Sequence, residues 1–305
     1  MPTVSNRVLI GALRLTRRNR IWVDGAAAER YVADRALHPV AYGPPRRLGT
    51  DVEVSAERWR GWPLYRLTPR RHRPAGVVVY THGGGWVSEI VSQHWRLCAE
   101  IAEAAATTVL VPIYPLIPFG TAAEVVPQVA ALAAAHAGAG PVCLAGDSAG
   151  GQIALSAALE LRDRHQRTAA RTILISPALD ATLSHPRIPE VEATDPWLGQ
   201  PGIRVVREYW RGELALDDPL VSPLWGELAG LGPITVFTGT RDLLSPDAAR
   251  LHERALAAGV RVDYHERPGL VHVYPLTPVA EARAAREVIR AQVRAAVRAG
   301  AGPAA

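Results

Sequence analysis

From about residue 50 onward, short runs dense in Val, Ile and Leu alternate with stretches whose apolar residues return every three or four positions. The runs at 64–69 (LYRLTP), 76–85 (GVVVYTHGGG), 107–114 (TTVLVPIY), 141–148 (PVCLAGDS), 171–177 (RTILISP), 233–240 (PITVFTGT) and 260–266 (VRVDYHE) have the length and β-branched content of strands. Between them the periodicity predicts helices near 93–106, 121–137, 149–165, 246–258 and 278–299. Continuous apolar strands separated by helices imply an α/β protein, its sheet mostly parallel and covered on both faces. Ser245-Pro246 reads as a helix start, with the serine capping and proline in the first helical position.

Two regions break this rhythm. Residues 1 to about 48 hold one amphipathic segment followed by the Pro/Gly-rich HPVAYGPPRRLG. Residues 180–225 are irregular, aromatic and punctuated by proline. An insertion of that length between two strands is too long for an ordinary loop. Both pieces suit a lid over the carboxyl ends of the strands, where open α/β sheets bind ligands. The expected organisation is a lid segment over 1–48, a catalytic domain over 49–299 with its lid insertion at about 180–225, and a flexible tail over 300–305.

Composition narrows the partners. All 34 basic residues are arginine, and with 29 acidic residues the net charge is +5. The pairs Arg17-Arg18, Arg46-Arg47 and Arg70-Arg71 are scattered among acidic residues, with no basic and aromatic stripe, so no nucleic-acid partner is expected. The charge-free stretches 104–123 and 125–146 are interrupted by proline or glycine, which excludes a membrane-spanning helix in either. The first 20 residues lack the sustained apolar region of a secretory signal. Cys98 and Cys143 fall in a helical and a strand segment, where they read as small apolar residues in a reducing, cytoplasmic setting.

The chemistry lies in two glycine-rich segments. Gly146-Asp147-Ser148-Ala149-Gly150 fits G-x-S-x-G with a strand before it and a helix after it. That is the setting of a nucleophile elbow, a strained turn that lifts a serine hydroxyl above the sheet edge. YTHGGGW, residues 80–86, follows the strand GVVV, and successive glycines there allow backbone N–H groups to converge on a developing oxyanion. Gly84 and Gly85 are the foremost donors, with Gly83 in the same loop and Ala149 just after the serine.

HGGGW followed by GDSAGG resembles the hormone-sensitive-lipase family of α/β-hydrolases, which includes many bacterial carboxylesterases and lipases. The resemblance runs over roughly residues 75–280. It implies an eight-stranded sheet, a lid built partly from the N-terminus, and a triad in the order Ser, Asp, His. For the acid, Asp242 directly follows a late strand, whereas Asp247 lies in a helix start where a carboxylate serves the helix dipole; Asp242 is favoured. For the base, His265 falls inside a strand, and His272 follows Pro268-Gly269 in what reads as a loop able to turn back toward the elbow; His272 is favoured. The family often has glycine and an aromatic after this histidine, where this chain has Val273-Tyr274. His82 is expected to anchor the glycine loop by hydrogen bonds, and Asp218 and Ser222 of DDPLVSPLWG to be scaffold residues. Trp86, Trp197, Tyr209 and Trp210 are candidate substrate-contacting aromatics.

Together with the resemblance, these residues lead to the expectation of a serine carboxylesterase for short- to medium-chain acyl esters, working through an acyl-enzyme without metal or organic cofactor. An amidase or lactonase would use the same triad. A binding protein of the kind represented by plant gibberellin receptors resembles this family too, but lacks the histidine that His272 supplies here. A small acyl ester is the expected partner, and a homodimer the assembly to test.

Overall fold

A computed structural model describes residues 5–16 and 19–299. The tail expected at 300–305 and the Arg17-Arg18 pair lie outside the described residues. Eight strands form one sheet: β1 Val52–Trp59, β2 Trp62–Pro69, β3 Val77–Thr81, β4 Thr108–Pro112, β5 Val142–Asp147, β6 Arg171–Ile175, β7 Ile234–Arg241 and β8 Val262–Val271. Their order is β1-β2-β4-β3-β5-β6-β7-β8, with β2 antiparallel to both its neighbours and all other pairings parallel.

The period-2 geometry of these strands sorts their side chains between two cores. Val79, Leu110, Leu144, Leu174 and Val236 point to one face, and Val78, Val109, Cys143, Ile173 and Phe237 to the other. The helices that cover them are α4 Ser92–Ala105, α5 Ala122–Ala137, α6 Ala149–His165, α9 Ser245–Ala257 and α10 Ala280–Ala299. α5, α6 and α9 pack on the first face, α4 and α10 on the second. Leu144 and Ile173 are fully buried, so truncating either to alanine costs about 2–5 kcal/mol. Cys98 and Cys143 are free and buried, and burial pushes the Cys143 thiol up to about 12.

Four local expectations change. β1 is absent from the sequence reading because it is an edge strand with charged Glu53, Glu57 and Arg58 and little buried surface. β3 stops at Thr81, so the three glycines form a loop beyond it. β8 continues through Pro268-Gly269, which read as loop; Gly269 is at φ +74° and the register against β7 shifts at Gly239/Arg241. Ser245 is not a cap: it lies inside α9, because Asp242 already closes the turn, its Oδ1 accepting from Leu244 N–H (3.0 Å) and its carbonyl from Ser245 N–H (2.8 Å).

The two irregular regions are helical and meet each other. The N-terminal part forms α1 Asn6–Thr16, α2 Arg20–Val23 and α3 Gly25–Leu37, and the 180–225 insertion carries α7 Ile188–Glu192 and α8 Gln200–Arg211. α2 and α3 pack on α8, and the Tyr209 hydroxyl donates to Glu29 Oε2 at 2.8 Å. α1, α2, α8 and the segment Trp197-Leu198 wall a cavity of about 580 Å³ above the glycine loop and the turn after β5. Among the described residues no helix is long and apolar enough to cross a membrane.

Candidate active site

The turn after β5 follows from glycine at two flanking positions. Ser148 is held at φ 52°, ψ −121°, outside the ordinary regions for an L-residue. It is fixed by its N–H donating to Ile175 O (2.8 Å) and by its carbonyl accepting from Gln152 and Ala178 (both 3.1 Å). A Cβ on Gly146 would collide with the carbonyl of Gly150, and one on Gly150 with the carbonyls of Thr81 and His82. The close approach of β5, α6 and the glycine loop therefore exists only without those side chains.

Three residues distant in sequence converge above this turn. His272 Nε2 lies 3.0 Å from Ser148 Oγ, and His272 Nδ1 lies 3.1 Å from each oxygen of Asp242. Asp242 is fully buried and His272 nearly so, while Ser148 opens into the cavity. Burial disfavours the imidazolium, yet the adjacent Asp242 carboxylate outweighs it, with further help from Asp195 and Asp147, and the His272 pKa is raised above its ordinary value. His265 stays in β8, stacked on Phe237 at 4.8 Å, and Asp247 sits buried in the first turn of α9. Val273 adopts φ +47°, where a residue other than glycine costs roughly 1–2 kcal/mol. Its N–H donates to Ser176 Oγ (2.9 Å) and its side chain is buried, which offsets the strain and sets the histidine's direction.

The glycine loop is tied to the elbow through Asp147, to which the sequence reading gave no part. Its buried carboxylate accepts from Tyr80 OH (2.6 Å), Gly83 N–H (3.0 Å) and His94 Nε2 (3.1 Å). Because His94 Nδ1 accepts from Val91 N–H (3.0 Å), the ring proton is on Nε2 and points at Asp147. Burial works against this carboxylate, but His94 and the other donors hold its pKa below the usual value. Gly83 is thereby corrected: its N–H is committed to Asp147 and holds the loop in place. Among the described residues no acceptor engages the N–H of Gly84 or Gly85, which line the cavity with Ala149. His82 does anchor the loop: its Nδ1 lies 2.7 Å from Gly83 O, its ring stacks on Tyr114 at 4.6 Å, and its carbonyl accepts from Tyr114 OH at 2.6 Å. Burial lowers the His82 pKa to about 4, so the ring is neutral.

The four candidate aromatics divide. Trp86 and Trp197 line the cavity, Trp197 edge-on to His272 at 5.9 Å. Trp210 does not: it is completely buried, stacked behind Trp86 at 5.4 Å. Tyr209 does not either, since it faces solvent and joins α8 to Glu29 of α3. Gln152 explains the placement of Trp210. Its amide oxygen accepts from both indoles, Trp86 (3.1 Å) and Trp210 (2.9 Å), while its amide nitrogen donates to Ser156 Oγ (2.9 Å) and Leu220 O (2.7 Å). Ser222 is scaffold as expected, its hydroxyl bridging Leu216 O and Ala181 N–H, and Asp218 caps the turn at Leu220.

Sequence reasoning missed several wall residues. Trp22 of α2 lies over Gly85, and Leu9 and Leu13 of α1 line the cavity at the i, i+4 spacing that made that segment amphipathic. Asp195, three residues beyond α7, accepts from Trp197 N–H (2.7 Å), Leu198 N–H (3.0 Å) and Leu243 N–H (2.7 Å). It thus joins the insertion to the turn bearing Asp242, and burial together with Asp242 raises its pKa to about 6.

Comparison with known proteins agrees with this geometry. Residues 78–276 match the family described by the alpha/beta hydrolase fold. The chain is 33% identical over 229 residues to a triacylglycerol lipase of Mycobacterium tuberculosis, an alignment covering 74% of this chain and 47% of that protein, so the match spans about half the lipase's length. It is 32% identical over 228 residues to an acetyl-hydrolase of Streptomyces hygroscopicus, covering 72% of this chain and 76% of that one. The crystal structure of an esterase from the bacterial hormone-sensitive lipase family superposes with a TM-score of 0.76 at 26% identity, over 89% of this chain and 91% of the other. The family match runs from the second residue of β3 through every later strand and takes in both glycine-rich turns, and the chain belongs to the alpha/beta hydrolase family.

Proposed function

We propose that the chain is a carboxylic ester hydrolase: a serine esterase with Ser148 as nucleophile, His272 as general base and acid, and Asp242 as the residue orienting the imidazole. The observation that carries this reading is the unbroken line from Ser148 Oγ through His272 (3.0 Å) to both oxygens of Asp242 (3.1 Å). Ser148 Oγ attacks the acyl carbonyl while His272 Nε2 takes its proton, and Asp242 fixes the tautomer and stabilises the imidazolium. Charge on the carbonyl oxygen is received by the N–H groups of Gly84, Gly85 and Ala149. Collapse returns the proton from His272 to the leaving alcohol, and water repeats the sequence on the acyl-enzyme to release the acid.

The N-terminal helices and the insertion act as the lid in this reading, supported by the cavity wall that α1, α2, α8 and the Trp197-Leu198 segment contribute. That wall is mainly aliphatic and aromatic, and about 580 Å³ is an ordinary volume for a small-molecule site, which supports short- to medium-chain esters as substrates. A cytoplasmic location and a homodimer complete the reading, the first supported by two buried free thiols and the second open to sedimentation analysis. The direct test is hydrolysis of p-nitrophenyl esters from acetate to laurate. The highest kcat/KM is expected at octanoate or shorter; absence of turnover on every ester, with ligand binding intact, would overturn the reading in favour of a binding protein.

A further inference from the structure

Two acidic side chains outside the triad line the cavity among the described residues: Asp147, which is taken up by Tyr80, Gly83 and His94, and Glu89. It lies four residues beyond Gly85 and lines both the main cavity and a second one of about 330 Å³, shared with Tyr31, Arg35 and Ser88. The side chain is half-buried, and its Oε2 is buried with no hydrogen-bond partner among the described residues. Burial raises its carboxyl above the ordinary carboxylate value. A carboxylate in that position is costly unless something pairs with it.

The protein's own groups nearby are engaged elsewhere. Arg35 bonds to Asp34, with Nη2 at 2.5 Å and Nε at 3.2 Å, and lies over the Tyr31 ring at 5.5 Å. Tyr114, whose pKa is raised by burial and to a lesser extent by Asp147 and Glu89, donates to His82 O (2.6 Å). Tyr31 OH and Ser88 Oγ bond to each other at 3.1 Å. Around the main cavity the charge contrast is sharper still. The chain is net +5, all of its basic side chains being arginine, yet among the described residues no arginine lines that cavity. The carboxyl groups beside its polar floor are Glu89 in the wall and Asp147, Asp242 and Asp195 behind the glycine loop and His272.

We propose that Glu89 forms a subsite for a positively charged group, so that esters carrying an ammonium on the acyl or alcohol part are preferred over neutral esters of the same shape. This rests on the esterase reading above. An ammonium replaces the missing partner of the carboxylate inside a low-dielectric wall, where a charge pair is stronger than in water. The same charge disfavours anionic substrates and the retention of the acid product.

Two matched ester pairs test it at pH 8, each differing by N⁺ against carbon. Choline acetate against 3,3-dimethylbutyl acetate places the cation on the alcohol. Phenyl 4-(trimethylammonio)butanoate against phenyl 5,5-dimethylhexanoate places it on the acyl part. In at least one pair the unaltered chain is expected to favour the cation by roughly ten-fold in kcat/KM. Glu89→Gln should abolish that preference while changing the neutral ester by less than about two-fold; Glu89→Asp, which keeps the charge, should retain part of it and serves if the Gln variant does not fold. Equal rates within both pairs, or a preference that survives Glu89→Gln, would overturn the subsite. If none of the four esters is turned over, the esterase reading fails separately. The subsite is then read by calorimetry with choline, where binding to the unaltered chain that Glu89→Gln removes supports it and no difference overturns it.

Discussion

The floor of the cavity and its roof are built by different means. On the floor, Ser148, the glycine loop and Asp147 are fixed by backbone hydrogen bonds and by collisions that glycine alone avoids. In the roof, α2 and α3 pack on α8 with Gly202 set close against the backbone of Ile21 and Trp22, the wall toward the cavity is made of side chains such as Leu9, Leu13, Trp22 and Trp197, and Val8, Leu15, Val23 and Leu37 are left facing outward. A floor of that kind has one geometry or none. Wall side chains carried by the roof can change without disturbing the bend beneath, which in the proposed esterase would separate the place where bonds are broken from the place where substrates are selected.

The largest effects should come from the floor. Ser148→Ala and His272→Ala are each expected to lower ester kcat by about 10⁴- to 10⁶-fold with an unchanged far-UV spectrum and melting temperature within a few degrees. Asp242→Asn should lose about 10⁴-fold because the amide favours the wrong tautomer. Asp247→Asn tests that choice of acid, since a greater loss there than at Asp242 would transfer the role to it.

The seam between the two regions gives the next effect. Asp195 holds Leu243 of the acid-bearing turn and Trp197 of the roof, and its charge contributes to raising the His272 pKa. Protonated His272 cannot accept the serine proton, so activity appears as pH rises through its pKa. That limb should lie above the ordinary histidine value of about 6.5. The charged groups facing the imidazole are Asp242, Asp195 and Asp147. Asp195→Asn removes one of them, so the acid limb of kcat/KM should move downward, along with a modest loss in kcat. An unmoved limb would show that Asp195 acts on the turn alone.

The smallest effect on chemistry should come from the roof itself. Trp22→Ala opens the wall above Gly85 and should shift the acyl-length preference toward longer chains, changing kcat/KM by roughly ten-fold or less. The kcat for acetate esters should stay within about two-fold. A collapse of acetate turnover would mean that roof and floor are not separable as described.

The same division marks what was legible in the residues. Asp242 could be favoured over Asp247 because it directly follows a late strand, and His272 over His265 because it lies past the predicted strand; both sit at the triad distances, although Pro268-Gly269, read as a loop, continues β8. Trp210 and Tyr209 could not be told from Trp86 and Trp197, since all four are large aromatics in or near the insertion or the glycine loop. Gln152, four residues past the serine, turns Trp210 inward, and Glu29 turns Tyr209 outward; neither pairing has a signature along the chain. Gly83 was grouped with its two neighbours, although Asp147, 64 residues away, takes its N–H.

The sequence by itself determined the α/β alternation, the elbow, the glycine loop and the triad candidates. Each rests on local causes: side-chain period, the conformations glycine permits, and a strand ending at a known position. Tertiary structure alone decided which N–H groups remain open, which aromatics reach the cavity, and that Asp195 and Glu89 face the chemistry. Those outcomes depend on burial and on competition for hydrogen bonds between segments far apart in the chain, and neither is settled until the layers have packed.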